Sequence, residues 1–282
     1  MKKILTHKII NIVAAKNSGL WLYISLFISW IAFCITIASF FVSTSIKDAE
    51  SKFIQYSNAY AEHIYDKASS NQIILEGFAA LFGALGDKNV QEASRYAKQV
   101  IENHPHVFSL EVVQTVRRSE LDQFNQQQRK TGNANFQIRT FGYNSDKKWH
   151  AAEDKPVYYP IIFIGPMRPE SAEVLGLDMG SVDFLRPAIL EAARKKRAVS
   201  TPPFRLVQGN LAYVIFMPVR SAHTASVSSG AQTNSSFTVD MVVDAMKMGT
   251  PDKMPAPGNL HLVVYHPDFL PEDATGQIVH IH

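Results

Sequence analysis

An α+β fold with an N-terminal transmembrane helix is predicted for this chain of 282 residues by three observations. The run "LWLYISLFISWIAFCITIASFFV", residues 20–42, carries no charged side chain. A helical pattern of apolar residues follows it without an intervening proline. From Val107 onward the texture changes to short apolar runs separated by Gly, Pro and polar turns. Helices first and strands afterwards is the order expected of an α+β chain rather than of alternating βαβ units.

The apolar run would rise about 34 Å as a helix, enough for a hydrocarbon core of roughly 30 Å. It is too long for the apolar region of a cleaved signal peptide, which is about 7–15 residues. A buried core helix is rarely apolar on every face over this length. Lys2, Lys3, Lys8 and Lys16 lie on its N-terminal side. By the positive-inside rule they hold that end in the cytoplasm. The expectation is a single pass through the cytoplasmic (inner) membrane, a basic cytoplasmic tail at 1–19, and an extracytoplasmic body.

Those four lysines also explain the formal net charge of +3. Taking them from the 28 basic residues leaves 24, against 25 acidic ones, so the rest of the chain is near neutral. A near-neutral body with no basic stripe argues against nucleic acid as a partner. The one cysteine, Cys34, lies inside the apolar run, so no disulfide is expected in the body.

Residues 43–104 are expected to form a helical stalk. Ile46, Phe53, Tyr60, Ile64, Phe78 and Leu85 recur at spacings built from four and seven, which predicts one helix that Gly83 and Gly86 end. The stripe is suited to homodimerisation, or to packing back on the body. Val90, Ala93, Ala97, Val100 and Ile101 mark a second helix closed by Pro105.

Strands come next. "VFSLEVVQTV" places Phe108, Leu110 and Val112 on one face and Ser109, Glu111 and Thr115 on the other, a half-buried strand. Ser119 with Asp122 resembles a capping box opening a helix at 120–130. "NFQIRTF" (135–141), "PVYYPIIFI" (156–164) and "VLGLDM" (174–179) are predicted strands, with Pro160 marking a bulge or an edge. A helix is expected at 187–196 and a strand at 211–219. A mobile Ser/Thr/Ala/Gly-rich loop is expected at 221–236. "FTVDMVV" and "NLHLVVYH" are the last predicted strands.

One strand is peculiar. "VSTPPFRL" (199–206) has apolar ends but two hydroxyls and two prolines in its middle. Pro202 and Pro203 cannot donate to a ladder, so pairing must open beside Ser200 and Thr201. Either the prolines blunt an edge strand against aggregation, or the opened ladder offers hydroxyl and backbone groups to a ligand.

The segments "FSLEVVQTVRRSELDQFNQQQRK", "PVYYPIIFIGP" and "LGLDMGSVDFLRPAILEAARKKRAVSTPPFRLVQGNLAYVIFMPV" together resemble the CHASE domain. This is the extracytoplasmic sensory domain of many bacterial receptors and of the plant cytokinin-receptor histidine kinases. The resemblance implies a long helical stalk followed by PAS-like mixed α/β sensory subdomains. It implies a membrane-distal, ligand-binding subdomain at 105–220 and a membrane-proximal one at 221–282, cut short before a second transmembrane helix. Thr201 occupies the place of the Thr that lines the pocket in cytokinin receptors. The plant receptors carry an aspartate in the loop after the preceding strand. Here that loop reads "FIGPMRPESAEV", with no acid in the matching early part, which argues against adenine-type cytokinins. Family members continue into a second membrane helix and a kinase, cyclase or similar output, whereas this sequence ends at "GQIVHIH".

The resulting expectation is a membrane-anchored sensor for a small molecule of unknown identity. Thr201, Phe204, Tyr213, Tyr158, Phe163 and Arg205 are the candidate ligand-binding residues. Arg168 or Arg205, turned inward, would favour an anionic ligand. The alternative is an anchored scaffold that binds a protein or peptide through a sheet edge. The sequence holds no nucleophile elbow, His-Glu-x-x-His or phosphate-binding glycine loop, so no catalysis and no cofactor is expected. The pairs His104/His106 and His280/His282 lack a third metal ligand and are expected to be solvated. Asp178 closes a strand before Gly180 and has a turn-capping role as its plainest reading.

Overall fold

The computed structural model describes residues 2–85, 90–130, 136–143, 147–220 and 236–248. The chain divides by its contacts into two units, Met1–Tyr60 and Ala61–His282. The first unit lies within α1 (Lys2–Leu85), a helix of 84 residues with no proline in it. It contains a stretch of mean hydropathy 2.2, long and apolar enough to cross a membrane. Trp21, Phe27, Trp30 and Phe41 all project outward from it.

The second unit is built on an antiparallel sheet. After α2 (Val90–Asn103) come β1 (Val107–Gln114), β2 (Val116–Arg117), α3 (Leu121–Lys130), β3 (Arg139–Phe141), β4 (Trp149–Ala151), β5 (Val157–Tyr158) and β6 (Ile161–Gly165). Then follow α4 (Pro169–Ala172), α5 (Arg186–Lys195), β7 (Val199–Ser200), β8 (Phe204–Arg205), β9 (Leu211–Pro218), β10 (Phe237–Asp244) and α6 (Ala245–Met248). The main sheet runs β6-β1-β10-β9-β7, with β8 also paired to β9. Two small pairs, β2–β5 and β3–β4, stand apart from it.

Each face of the main sheet is covered. On one side, Leu110, Val112, Val239 and Met241 pack with Leu75, Phe78 and Phe82 of α1 and with Ala93 and Ala97 of α2. Phe78 is fully buried, stacked on Tyr96 at 5.8 Å and tilted against Phe163 at 6.1 Å. Burial of one such ring is worth about 1.5–3 kcal/mol. Two glycines allow the close approaches. A Cβ at Gly77 would stand 2.8 Å from Tyr96 Oη, which donates to the Ile74 carbonyl, and one at Gly165 would stand 2.5 Å from the Ala97 methyl. On the other side, Val113, Ile161, Ile164, Val214, Phe216 and Val242 pack under Leu185 and under Ile189 and Ala192 of α5. A third cluster joins Val116 and Tyr158 to Phe124 of α3, Phe136 and Ile138.

Several expectations change. β1 is buried on both faces rather than one, because helices cover one side and α5 with its preceding turn covers the other. A register irregularity between Val107 and Ser109 also separates Phe108 from Leu110 and Val112, which take opposite faces. The predicted helix at 120–130 starts as a 3-10 turn (Arg118–Glu120), with Glu120 rather than Asp122 reaching back to a backbone N–H. "PVYYPIIFI" splits at Pro160 into β5 and β6, which pair with different strands. Instead of a strand, "VLGLDM" forms a tight turn held by bridges at Leu177 and Asp178. β10, drawn from beyond residue 220, lies between β1 and β9 in the same sheet as the elements before it. Residues 221–235, the strand expected at "NLHLVVYH" and the pair His280/His282 lie outside the described residues.

Candidate functional site

The peculiar strand explains itself through its pairing. Val199 and Ser200 pair with Phe216 and Ile215 of β9, and Phe204 and Arg205 with Ala212 and Leu211. Pro202 and Pro203 fall in the gap, on the edge of the sheet. Thr201 bridges the interruption. Its N–H donates to the Val214 carbonyl at 2.8 Å, and its Oγ1 accepts from the Val214 N–H at 3.0 Å. The hydroxyl thus stands in for a missing carbonyl of the ladder, and the donor left free by the prolines is satisfied within the chain.

Just past the prolines, Phe204 lies over the α5 face of the sheet. It is 4.5 Å from Phe184 and 6.2 Å from Tyr143 between ring centroids, and Tyr143 is 5.3 Å from Phe184. Beneath these rings is a cavity of about 30 Å³, walled by Phe108, Tyr143, Phe204, Val214 and Val242 and reached by the carboxylate-bearing side chain of Glu111. That volume holds about two waters. A metabolite-sized ligand needs several hundred Å³, so the aromatic cover must move to admit one.

Glu111 is the informative member. It is 6% exposed and its Oε1 accepts a 2.8 Å hydrogen bond from Ser109 Oγ. Asp240 of β10 stands directly opposite it in the register, is 0% exposed, and has no hydrogen-bond partner on either carboxylate oxygen. Burial pushes the Glu111 carboxyl up to about 7, the Ser109 bond opposing. Burial, and then the neighbouring Glu111 charge, raises Asp240 well above the carboxylate range. The Tyr143 hydroxyl is raised by burial and by the charge of Glu111, which places it beside the pair.

The six residues singled out from the sequence do not share this cavity. Phe204 lines it, and Thr201 is buried alongside Val214 but spends its hydroxyl on the ladder. Tyr213 and Phe163 lie on the opposite face, because their parity along β9 and β6 turns them toward α1. Tyr158 borders a separate cavity of about 170 Å³ with Arg118 and Asn125. Arg205 is exposed and donates to the Gly209 carbonyl, and Arg168 lies 5.4 Å from the Phe108 ring. Neither arginine borders the 30 Å³ cavity. A groove of about 580 Å³ bordered by Gln72, Glu76, Lys196 and Arg197 is wider, but these polar residues are exposed.

Sequence reading passed over Glu111 and Asp240. The signal was there: the same-parity neighbours Val113 and Val242 are apolar, so the face assigned to solvent could not have been a solvent face.

On the opposite face, a buried polar group ties α1 to the sheet. Asn71 Oδ1 lies 2.8 Å from His106 Nε2, and its amide contacts Met248 Sδ at 3.8 Å. Tyr213 is hydrogen-bonded to Asn71, while burial pushes its phenol up to about 12. His106 is therefore buried rather than solvated. Asp178 is a fully buried cap that accepts from Tyr159 N at 2.8 Å, Gly180 N at 3.1 Å and Lys155 Nζ at 2.8 Å. Among the described residues, no cluster of three or more His, Cys, Asp or Glu is arranged to hold a metal.

The CHASE domain family model matches residues 87–265, well over half of the chain. A comparison with curated proteins finds no match. Among solved structures, the chain is similar to the extracellular domain of the protein described as histidine kinase mmHK1S-Z2, with 15% identity and a TM-score of 0.36, covering 67% of this chain and 58% of that one. The corresponding domain of mmHK1S-Z3 gives 14% identity and a TM-score of 0.35, covering 66% of this chain and 55% of that one. Methyl-accepting chemotaxis protein X gives 11% identity and a TM-score of 0.36, covering 68% and 61%. The chain thus spans less than two thirds of each of these structures.

Proposed function

Because the chain belongs to the CHASE domain family of extracytoplasmic sensory modules, we propose that it is a membrane-anchored sensor that binds a small molecule beneath the Tyr143–Phe184–Phe204 cover. The observation that carries this reading is the position of the cavity on the sheet. Glu111 and Val242, at its wall, alternate along β1 and β10 with Leu110, Val112, Met241 and Val243. These four pack in the same core as Leu75 and Phe78 of α1. A ligand that displaces the strands on one face therefore moves the seat of α1 on the other. α1 also carries the apolar stretch proposed as the anchor, with its lysine-flanked end in the cytoplasm.

The test uses the full chain in lipid nanodiscs, melted against a metabolite library. A ligand at a hundred times its Kd adds about 2.7 kcal/mol, a Tm rise of roughly 5–11 °C for a body of this size. If only protein or peptide partners shift the melt, the chain is a scaffold and the sensor reading fails. Protease added outside spheroplasts should remove the body and leave a short protected N-terminal piece. A fully protected body would reverse the orientation.

A further inference from the structure

Four side chains form a row across one face of the sheet, Ile164 on β6, Glu111 on β1, Asp240 on β10 and Phe216 on β9, each opposite the next in register. Its two inner members are both carboxyl-bearing and both buried. Glu111 reaches the cavity, and Asp240 lies one strand further in on the same face, with both oxygens lacking a hydrogen-bond partner. A buried carboxylate with unfilled acceptors costs several kcal/mol, so the pair must either keep protons or meet a cation. Among the described residues, no lysine, arginine or histidine borders the cavity. The flanking strands present Ile164 and Phe216, and among the described residues the other titratable group against the pair is the Tyr143 phenol. Apart from Ser171 and Gln208 the rest of the wall is apolar, and within it Phe108, Tyr143 and Phe204 contribute rings whose faces attract positive charge.

We propose that the ligand of this cavity is a small organic cation, its ammonium group taken by Glu111 and Asp240 and its carbon part held among Phe108, Tyr143 and Phe204. This rests on the small-molecule reading above and adds the sign and chemistry of the ligand. It runs against the anionic ligand that an inward Arg168 or Arg205 would have favoured. The pair still binds protons at neutral pH, because burial raises Glu111 to about 7 and burial, then the Glu111 charge, raises Asp240 well above the carboxylate range. Docking of an ammonium group must therefore release protons to solvent.

The experiment is calorimetric titration of the full chain in nanodiscs with methyl-, propyl- and tetramethylammonium chloride, with 1-propanol and sodium propionate as uncharged and anionic controls. An ammonium probe is expected to bind, with a heat that varies with the ionisation enthalpy of the buffer and an affinity that rises with pH. Glu111→Gln and Asp240→Asn should each weaken it about 10- to 100-fold, as expected for loss of a bond to a charged group. Arg205→Gln should leave it unchanged. Each variant is melted first, and two substitutions at separate positions guard against one failing to fold. Equal binding of propanol or propionate overturns the inference, as does ammonium binding that survives both substitutions. No response to any ammonium probe in a cooperatively folded sample overturns it too. The sensor reading then stands or falls separately on the metabolite screen.

Discussion

The carboxyl pair makes a contribution to stability that falls as pH rises, opposite in sign to that of a salt-bridged carboxylate. Burial holds Glu111 at about 7 against an ordinary value of 4.5, so its folded pKa lies above its unfolded one. Between those values the folded state binds more protons than the unfolded state, and stability falls as pH rises. Over that window the loss is roughly 3 kcal/mol from Glu111, at 1.36 kcal/mol per pKa unit. Asp240 is shifted in the same direction and adds to it. For a body of about 200 residues, 3 kcal/mol corresponds to roughly 6–12 °C in Tm.

The assay is a series of thermal melts of the full chain in nanodiscs from pH 5 to pH 8, beside the double variant Glu111→Gln, Asp240→Asn. Other groups titrate in the same range, so the decisive quantity is the difference between the two proteins at each pH. Wild type should lose stability relative to the variant as pH rises, and the variant should be the more stable at pH 8. Parallel curves would refute the assignment of buried, proton-holding carboxyls, and a difference that grows toward acid would refute its sign.

Thr201→Val deletes the acceptor of the buried Val214 N–H and should destabilise by about 1–3 kcal/mol, with faster hydrogen exchange at that amide. Thr201→Ser keeps the acceptor and should cost less than about 1 kcal/mol. Asn71→Leu removes a partner of both His106 and Tyr213 and should cost about 1–3 kcal/mol in urea unfolding, while loosening α1 from the sheet in hydrogen exchange. Ile46 and Phe53 are exposed one heptad apart on α1, so Phe53→Cys in a Cys34→Ser background should give disulfide-linked dimers; a persistent monomer would sink stalk pairing.

The helices were legible because long, proline-free apolar periodicity leaves few alternatives. The boundaries of α2, α5, β9 and β10 follow their apolar runs closely. Strand faces were harder. A single irregularity at Val107/Ser109 turns Phe108 away from Leu110, and no local residue pattern announces it. The place of β10 between β1 and β9 is a long-range pairing, which propensity does not encode. The buried carboxyl pair was illegible for a related reason. A Glu or Asp within an alternating strand suggests a solvated face, and only the second helical layer reveals that neither face is wet. Thr201 reads two ways, since a hydroxyl beside two prolines offers itself equally to a ligand and to its own sheet, where it accepts from the Val214 N–H.

The pair's location gives it leverage. Glu111 lies between Leu110 and Val112, and Asp240 between Val239 and Met241, and these four apolar residues pack in the same core as Leu75 and Phe78 of α1. A site on loops could be filled without disturbing that layer, but one on two central strands cannot. Relief of the roughly 3 kcal/mol held at neutral pH is worth about a hundredfold in an equilibrium constant. Under the proposed reading, a ligand that exchanges for the pair's protons acts between β1 and β10, the two strands whose other face packs in the core shared with α1.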